Sequence, residues 1–177
     1  KKLNSHVSAL IGTGLTMFYY LYLYLTRTTL DVFNCSPTTP SDGFEYMQAV
    51  FVKCNEPGGL QQSLLPIAVV TFLVYTVGYP AIVAWVIRRY RWEIREDQYL
   101  RAKNTGDALL TNPRAFDVRK RFHKMYYHFK PDYWFWVLVI VLRKFAIAFT
   151  SLMFRKNAAF QLSVSLLVMF VGYVLQV

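Results

Sequence analysis

The feature that most constrains the fold is a set of four apolar runs, each about as long as a membrane-spanning helix. A bilayer core of about 30 Å is crossed by about 20 apolar residues in a helix. Runs of this kind cover residues 7–25, 64–87, 133–154 and 158–177. Buried helices of a large soluble protein are the alternative, but four such runs in 177 residues that are 55% hydrophobic favour a membrane protein. We predict an all-α, polytopic membrane helical bundle with about four transmembrane helices.

The distribution of Lys and Arg predicts how these spans are oriented. Of the 20 basic residues, 12 fall in residues 88–132, whereas residues 28–63 contain only Lys53. The positive-inside rule places the basic segment in the cytoplasm and the sparse loop outside. Arg155 and Lys156, between the third and fourth runs, are the exception. Because the basic residues lie mostly between apolar spans, the net charge of +10 indicates membrane lipids as partners rather than nucleic acid.

The outer loop contains both cysteines of the chain, Cys35 and Cys54. Two cysteines on the oxidising side of a membrane, flanking a turn-rich segment, predict a disulfide. The alternative is a pair of free thiols in a reducing organelle. The loop has no His and no third Cys, so the spacing fits no zinc site.

The cytoplasmic segment ends in a predicted amphipathic helix. Val118, Phe122, Met125 and Phe129 recur at helical spacing on one face, and basic residues occupy the rest. Such a helix suits the inner membrane interface, although a solvated helix packed on a partner protein fits equally well. We assign lipid head-group or interfacial roles to eight residues: Arg88, Arg89, Arg91, Lys120, Arg121, Lys124, Trp134 and Trp136. The preceding residues 96–113 are interpreted as a polar linker, or as a short helix that ends near Gly106.

Two adjacent cations, Arg143 and Lys144, lie at the centre of the third run, "WVLVIVLRKFAIAF". A cation at the bilayer centre costs roughly 2.5 to 3.5 kcal/mol on insertion scales. No acidic residue within the four runs is available to pair with them. Two interpretations remain open: an ion, substrate or anionic-lipid site, or a cation that fixes one helix to a larger bundle.

The second run contains a predicted kink at Tyr79 and Pro80. Pro80 has no amide hydrogen, so it leaves a carbonyl near Thr76 without its helical partner. A carbonyl inside a membrane needs another donor. The kink is either a tolerated irregularity or a device that offers a carbonyl ligand to a cation or an Arg.

Signatures of catalysis are missing from the sequence. None of the three His residues lies deep in a span, which excludes the usual pair of haem ligands. The chain has no phosphate-binding Gly loop, no nucleophile elbow and no carboxylate pair within a span. We therefore expect no enzyme active site, no metal site and no cofactor.

The order of motifs resembles a known architecture. The outer "C…DGF…C" loop is followed by "VYTVGYP", a basic stretch, "YYHFKPDYWFW", "LRKFAIAF" and "AAFQLSVSLLVMFVGYVLQV". This order resembles the multi-spanning C-terminal membrane region of large algal and protist surface proteins, which often carry Cys-rich repeat ectodomains. It is more distantly similar to the fungal TRP-like membrane proteins.

The resemblance maps onto specific positions of this chain. Cys35 and Cys54 match the paired cysteines, Tyr79–Pro80 the kinked span, and Arg143–Lys144 the "RK" of the next span. The chain departs from the pattern at Val137, where such proteins often have an acidic residue. A charge-pairing role for the cations is therefore not implied.

Together these features predict a non-enzymatic module that anchors a large extracellular or surface assembly, with a signal-relay role. Plasma or ciliary membrane is the expected location, and other membrane or extracellular subunits, or further parts of the same chain, are the expected protein partners. One alternative is a channel or transporter subunit with a TRP-like transmembrane region. Another is an accessory subunit of an organelle membrane complex. Since the sequence lacks an initiator Met and stops within an apolar run, we expect it to be a piece of a longer protein.

Overall fold

The computed structural model describes residues 2–47, 50–154 and 157–175, most of which are helical. The predictions for Arg155, Lys156 and the last two residues of the fourth run lie outside these ranges. The helices are α1 (Lys2–Asp31), α2 (Leu60–Arg89), α3 (Arg91–Ala102), α4 (Phe116–Tyr126), α5 (Trp136–Met153) and α6 (Ala158–Val174).

Three of these helices are long and apolar enough to cross a membrane: His6–Asp31 within α1, all of α2, and α5. This finding confirms the coarse prediction of a mainly helical chain suited to a membrane. α6 is also apolar, but its 17 residues rise only about 26 Å. A count of four spans therefore stays a prediction.

α2 is irregular in its middle. A π-helical segment, Phe72–Val77, separates two regular stretches, Leu60–Thr71 and Gly78–Arg89. The segment ends three residues before Pro80, which cannot donate the amide hydrogen that a regular helix requires. Local widening of the helix is a usual response to such a break. Just before the predicted kink at Tyr79 and Pro80, the structure thus has a π-helical turn.

The outer loop folds into a small antiparallel sheet that the sequence did not predict. Its strands are β1 (Cys35–Pro37), β2 (Glu45–Met47) and β3 (Val52–Lys53), in that spatial order. Cys35 and Cys54 form the predicted disulfide, with their Cα atoms 6.3 Å apart. The bond joins the first strand to the end of the third, so it closes the loop.

The chain divides into two compact units: Lys1–Leu21 with Pro80–Val141, and Tyr22–Tyr79 with Leu142–Val177. Buried apolar residues of the first unit include Val83, Ile87, Ile94, Ala115 and Val141, and those of the second include Tyr22, Met47, Ala68, Ala148 and Leu152. Many apolar side chains of the long helices are exposed instead. Leu10, for example, is 75% exposed and Val74 is 69% exposed. Lipid contact is the environment that removes such side chains from water.

Candidate functional site

The basic segment, residues 88–132, is organised by the end of α3, where the chain reverses. Asn104 takes a left-handed conformation at φ 56°, and the Thr105 amide donates to the Leu100 carbonyl at 2.9 Å. The Asn104 amide donates to the Arg101 carbonyl at the same distance. This pair of bonds is the Schellman arrangement that ends helices. Gly106 follows at φ 94°, where a Cβ would lie 2.8 Å from Leu100 Cβ.

Asn112 then prepares the start of α4. Its carbonyl accepts from the Phe116 amide at 3.1 Å, and its Oδ1 accepts from the Ala115 amide at 3.2 Å. Asn followed by Pro113 is a common way to begin a helical turn, because Asn caps the amides and Pro has no amide to leave unpaired. Asn112 is 1% exposed, so this cap lies inside the fold.

A buried carboxylate, Asp97 of α3, joins the two helices. Asn112 Nδ2 donates to its Oδ1 at 2.7 Å, and the Tyr126 hydroxyl donates to its Oδ2 at 2.9 Å. Arg119 Nη1 lies 3.7 Å from Oδ1. Burial, followed by the Asp97 charge and the hydrogen bond to it, raises the pKa of Tyr126 well above its usual value. Asp97 is 4% exposed, so the charge is held by these partners rather than by water.

Two further side chains extend this cluster. Arg119 donates to the Gly106 carbonyl at 2.6 Å and to the Asp107 carboxylate, which ties the connecting loop to α4. Gln98, beside Asp97, donates from Nε2 to the carbonyls of Tyr126 and Phe129, both at 3.0 Å. The interpretation of residues 96–113 as a polar linker is therefore wrong at its start, which belongs to α3. The alternative, a short helix ending near Gly106, agrees with the structure.

The apolar face of α4 is covered within the chain. Val118 and Met125 are buried, and α3 and α4 pack against each other. Phe122 lies with its ring 5.8 Å from that of Tyr90, at the start of α3. α4 thus uses its apolar residues to build a helix pair, and its basic side chains remain outside. Lys120, Arg121 and Lys124 are all exposed.

A cavity of about 760 Å³ lies between this basic side and α1. Its cationic and imidazole lining consists of Arg119, Lys120, His123, Lys124 and His128. Its remaining lining consists of Thr16, Tyr20, Phe116 and Tyr127. The helices come close because Gly12 has no side chain: a Cβ there would lie 3.0 Å from the Arg121 carbonyl oxygen. The structure thus brings Lys120 and Lys124 into one cavity lining with two His residues and two Tyr residues.

The other predicted interfacial residues lie elsewhere. Arg88, Arg89 and Arg91 line a smaller hollow of about 490 Å³ with Trp85 and Trp92. Trp134 and Trp136 pack edge-to-face on neighbouring aromatic rings at 5.6 and 5.7 Å. Trp and Arg at the end of an apolar helix are typical of membrane interfaces.

Inside the second unit, the kink in α2 has a specific partner. The Tyr22 hydroxyl donates to the Thr76 carbonyl at 2.8 Å. The rings of Tyr22, Tyr75 and Tyr79 pack on one another, with centroids 5.8 to 6.1 Å apart. The carbonyl that Pro80 leaves free is therefore satisfied by a tyrosine, which favours the interpretation as a tolerated kink.

The two adjacent cations, Arg143 and Lys144, lie on α5 and are half-buried. Arg143 crosses α6 at Gly172, where a Cβ would lie 2.8 Å from Arg143 Cδ. Gly172 is buried, so its missing side chain leaves the space that the Arg stem occupies. Val137, at the position where an acid is expected from the resemblance, is 4% exposed.

Comparison of the chain with protein-family models, with curated proteins and with solved structures finds no match. The groups of His, Cys, Asp and Glu in the described ranges include none arranged to hold a metal ion.

Proposed function

We propose that this chain is a non-enzymatic, multi-pass membrane module that anchors a surface assembly and connects it to a folded cytoplasmic element. The α3–α4 pair is that element. The observation that carries the proposal is the buried Asp97 cluster, which makes the basic segment a fixed structure beside α1 rather than a linker.

Charge and covalent structure support an orientation for the module. The basic helix pair belongs on the cytoplasmic side, where anionic lipids attract Lys and Arg. The disulfide-closed loop belongs on the outer side, where disulfides persist. The plasma or ciliary membrane meets both conditions. Further membrane or extracellular subunits are the proposed partners, since the module has broad exposed apolar surfaces.

Topology mapping tests this proposal. Ser41 and Lys103 are both exposed. Ser41 lies in the proposed outer loop and Lys103 in the proposed cytoplasmic segment. Each is replaced by Cys in a chain that carries Cys35→Ser and Cys54→Ser. A membrane-impermeant maleimide is expected to label position 41 in intact cells and position 103 only after permeabilisation. The reverse pattern, or labelling of both positions in intact cells, contradicts the proposed orientation.

A channel or transporter subunit is the second candidate, and the π-helical segment favours it. Such segments occur frequently at functional sites, and the next apolar helix carries Arg143 and Lys144. Current recordings from the purified chain in planar bilayers distinguish the two functions. A channel conducts and changes its conductance with Arg143→Gln, whereas an anchor gives no current above that of protein-free bilayers.

A further inference from the structure

We infer that the cavity between α1 and α4 binds a phospholipid whose head group carries more than one phosphate group. This inference rests on the proposed membrane function and names a ligand for its cytoplasmic element. The cationic wall is the first argument. Lys120 and Lys124 are four residues apart and share one face of α4, with His123 beside them.

The length of that wall indicates a head group larger than one phosphate. Lys120 and Lys124 are about 6 Å apart along α4, and His128 extends the lining beyond the end of that helix at Tyr126. No acidic side chain is among the lining residues of this cavity in the described ranges. Arg119 is already occupied by Asp97, Asp107 and the Gly106 carbonyl, so the lysines and imidazoles are the groups that face a ligand.

The hydrogen bonding of His123 fixes which nitrogen is available. Its Nδ1 lies 2.9 Å from the Arg119 carbonyl oxygen, which only accepts, so Nδ1 carries the proton. Its Nε2 is then the ring nitrogen that remains for a ligand. A phosphate that carries a proton donates to the neutral nitrogen, and an imidazolium donates to the ionised phosphate.

The opposite wall indicates a lipid rather than a soluble phosphate. Thr16 and Tyr20 belong to α1, an apolar helix long enough to span a membrane. α1 has 30 residues and rises about 45 Å, more than the roughly 30 Å of the hydrocarbon core. Contact between the basic α4 and α1 near Gly12 places that level of α1 among head groups. Tyr20 lies two turns further along α1, towards the acyl chains, and is 73% exposed.

The test uses the full chain in detergent with short-chain lipid probes. Dioctanoyl phosphatidylinositol bisphosphate is titrated calorimetrically, and dioctanoyl phosphatidylserine and free inositol trisphosphate are the comparison ligands. We expect the bisphosphate lipid to bind at least about tenfold more tightly than either. Lys120→Gln with Lys124→Gln is expected to weaken it about thirtyfold, since each Lys near anionic lipid contributes roughly fivefold.

A matched control distinguishes lipid binding in this cavity from nonspecific electrostatic attraction between the basic chain and the anionic lipid. Arg114→Gln with Lys130→Gln removes the same charge from exposed positions outside the cavity lining and is expected to change the affinity less than about twofold. Equal losses in the two double variants overturn the inference, as does absence of binding. Equal affinity for free inositol trisphosphate overturns the lipid assignment. A chain that shows the proposed topology but binds no lipid overturns this inference alone, whereas an inverted topology overturns the anchor proposal.

Discussion

Replacing Asp97 by Ala is expected to open the α3–α4 pair. The substitution leaves Asn112 Nδ2 and the Tyr126 hydroxyl without the carboxylate that accepts their hydrogen bonds at 2.7 and 2.9 Å. Both residues are 1% exposed, so water does not replace the lost acceptor in the folded pair. A buried donor without a partner costs about 1 to 3 kcal/mol, which gives roughly 2 to 6 kcal/mol for the two.

Arg119 does not add to this cost, because in the variant it keeps two other acceptors, the Gly106 carbonyl and the Asp107 carboxylate. Tyr126→Phe removes only one donor and leaves Asp97 with Asn112 and Arg119. It is therefore expected to cost less, about 1 to 2 kcal/mol. The predicted order of destabilisation is Asp97→Ala, then Tyr126→Phe, then wild type.

Hydrogen–deuterium exchange of the chain in nanodiscs measures this opening directly. Amides of α3 and α4 are expected to exchange at least about 30-fold faster in Asp97→Ala, the factor that corresponds to 2 kcal/mol. Glu96→Gln is the control, because Glu96 is the exposed neighbour of Asp97 and the substitution removes the same charge. Exchange in Asp97→Ala no faster than in Glu96→Gln would refute the conclusion that this cluster holds the helices together.

Three further predictions concern other contacts. Gly172→Ala places a methyl 2.8 Å from Arg143 Cδ and is expected to lower the midpoint of thermal unfolding in detergent. Gly14→Ala, whose methyl meets no atom within 4 Å beyond its chain neighbours and the adjacent helix backbone, is expected to leave the midpoint unchanged or raise it. Tyr22→Phe removes the donor to the freed carbonyl in α2 and is expected to destabilise the chain by about 0.6 to 2 kcal/mol in a denaturation assay. The raised pKa of Tyr126 means that the folded state keeps its proton when the unfolded state has lost it, so α3–α4 stability is expected to fall as pH rises above about 10. Exchange measured against pH should show this loss in wild type and a smaller one in Tyr126→Phe.

The apolar helices were the most predictable part of the fold. The predicted span 64–87 corresponds to Leu60–Arg89, and 133–154 corresponds to Trp136–Met153. Agreement is close because a long apolar run has one dominant way to satisfy its backbone in lipid. The release of the Thr76 carbonyl was equally predictable from the sequence, since it follows from the covalent structure of Pro80. The donor to this carbonyl, Tyr22, could not be predicted, because Tyr22 and Thr76 are 54 positions apart in the sequence.

The helix pair shows what hydrophobic patterns leave out. Asp97 bonds with Asn112 and Tyr126, which are 15 and 29 residues away, and no periodicity connects them. A buried Asp looks the same as a solvated one in a polar sequence such as that of α3. One local signal was available: Asn112 followed by Pro113 marks a helix start, and it places a capping Asn before α4. The strands of the small sheet, two or three residues each, are likewise too short to show an alternating pattern.

The two sets of charged side chains receive different support from the fold. Asp97 accepts hydrogen bonds from Asn112 and Tyr126 and lies close to Arg119, all within its own unit. These contacts offset the free-energy cost of burying its carboxylate. Arg143 and Lys144 lie on α5, which contains no acidic residue, and neither α2 nor α6 contains one. The space for Arg143 comes instead from a glycine, because only Gly172 lets the Arg stem lie across α6. A long stem that follows a neighbouring helix can carry its charge toward a more polar level of the membrane. The missing side chain at Gly172 therefore lets α6 pack against the Arg143 stem of α5.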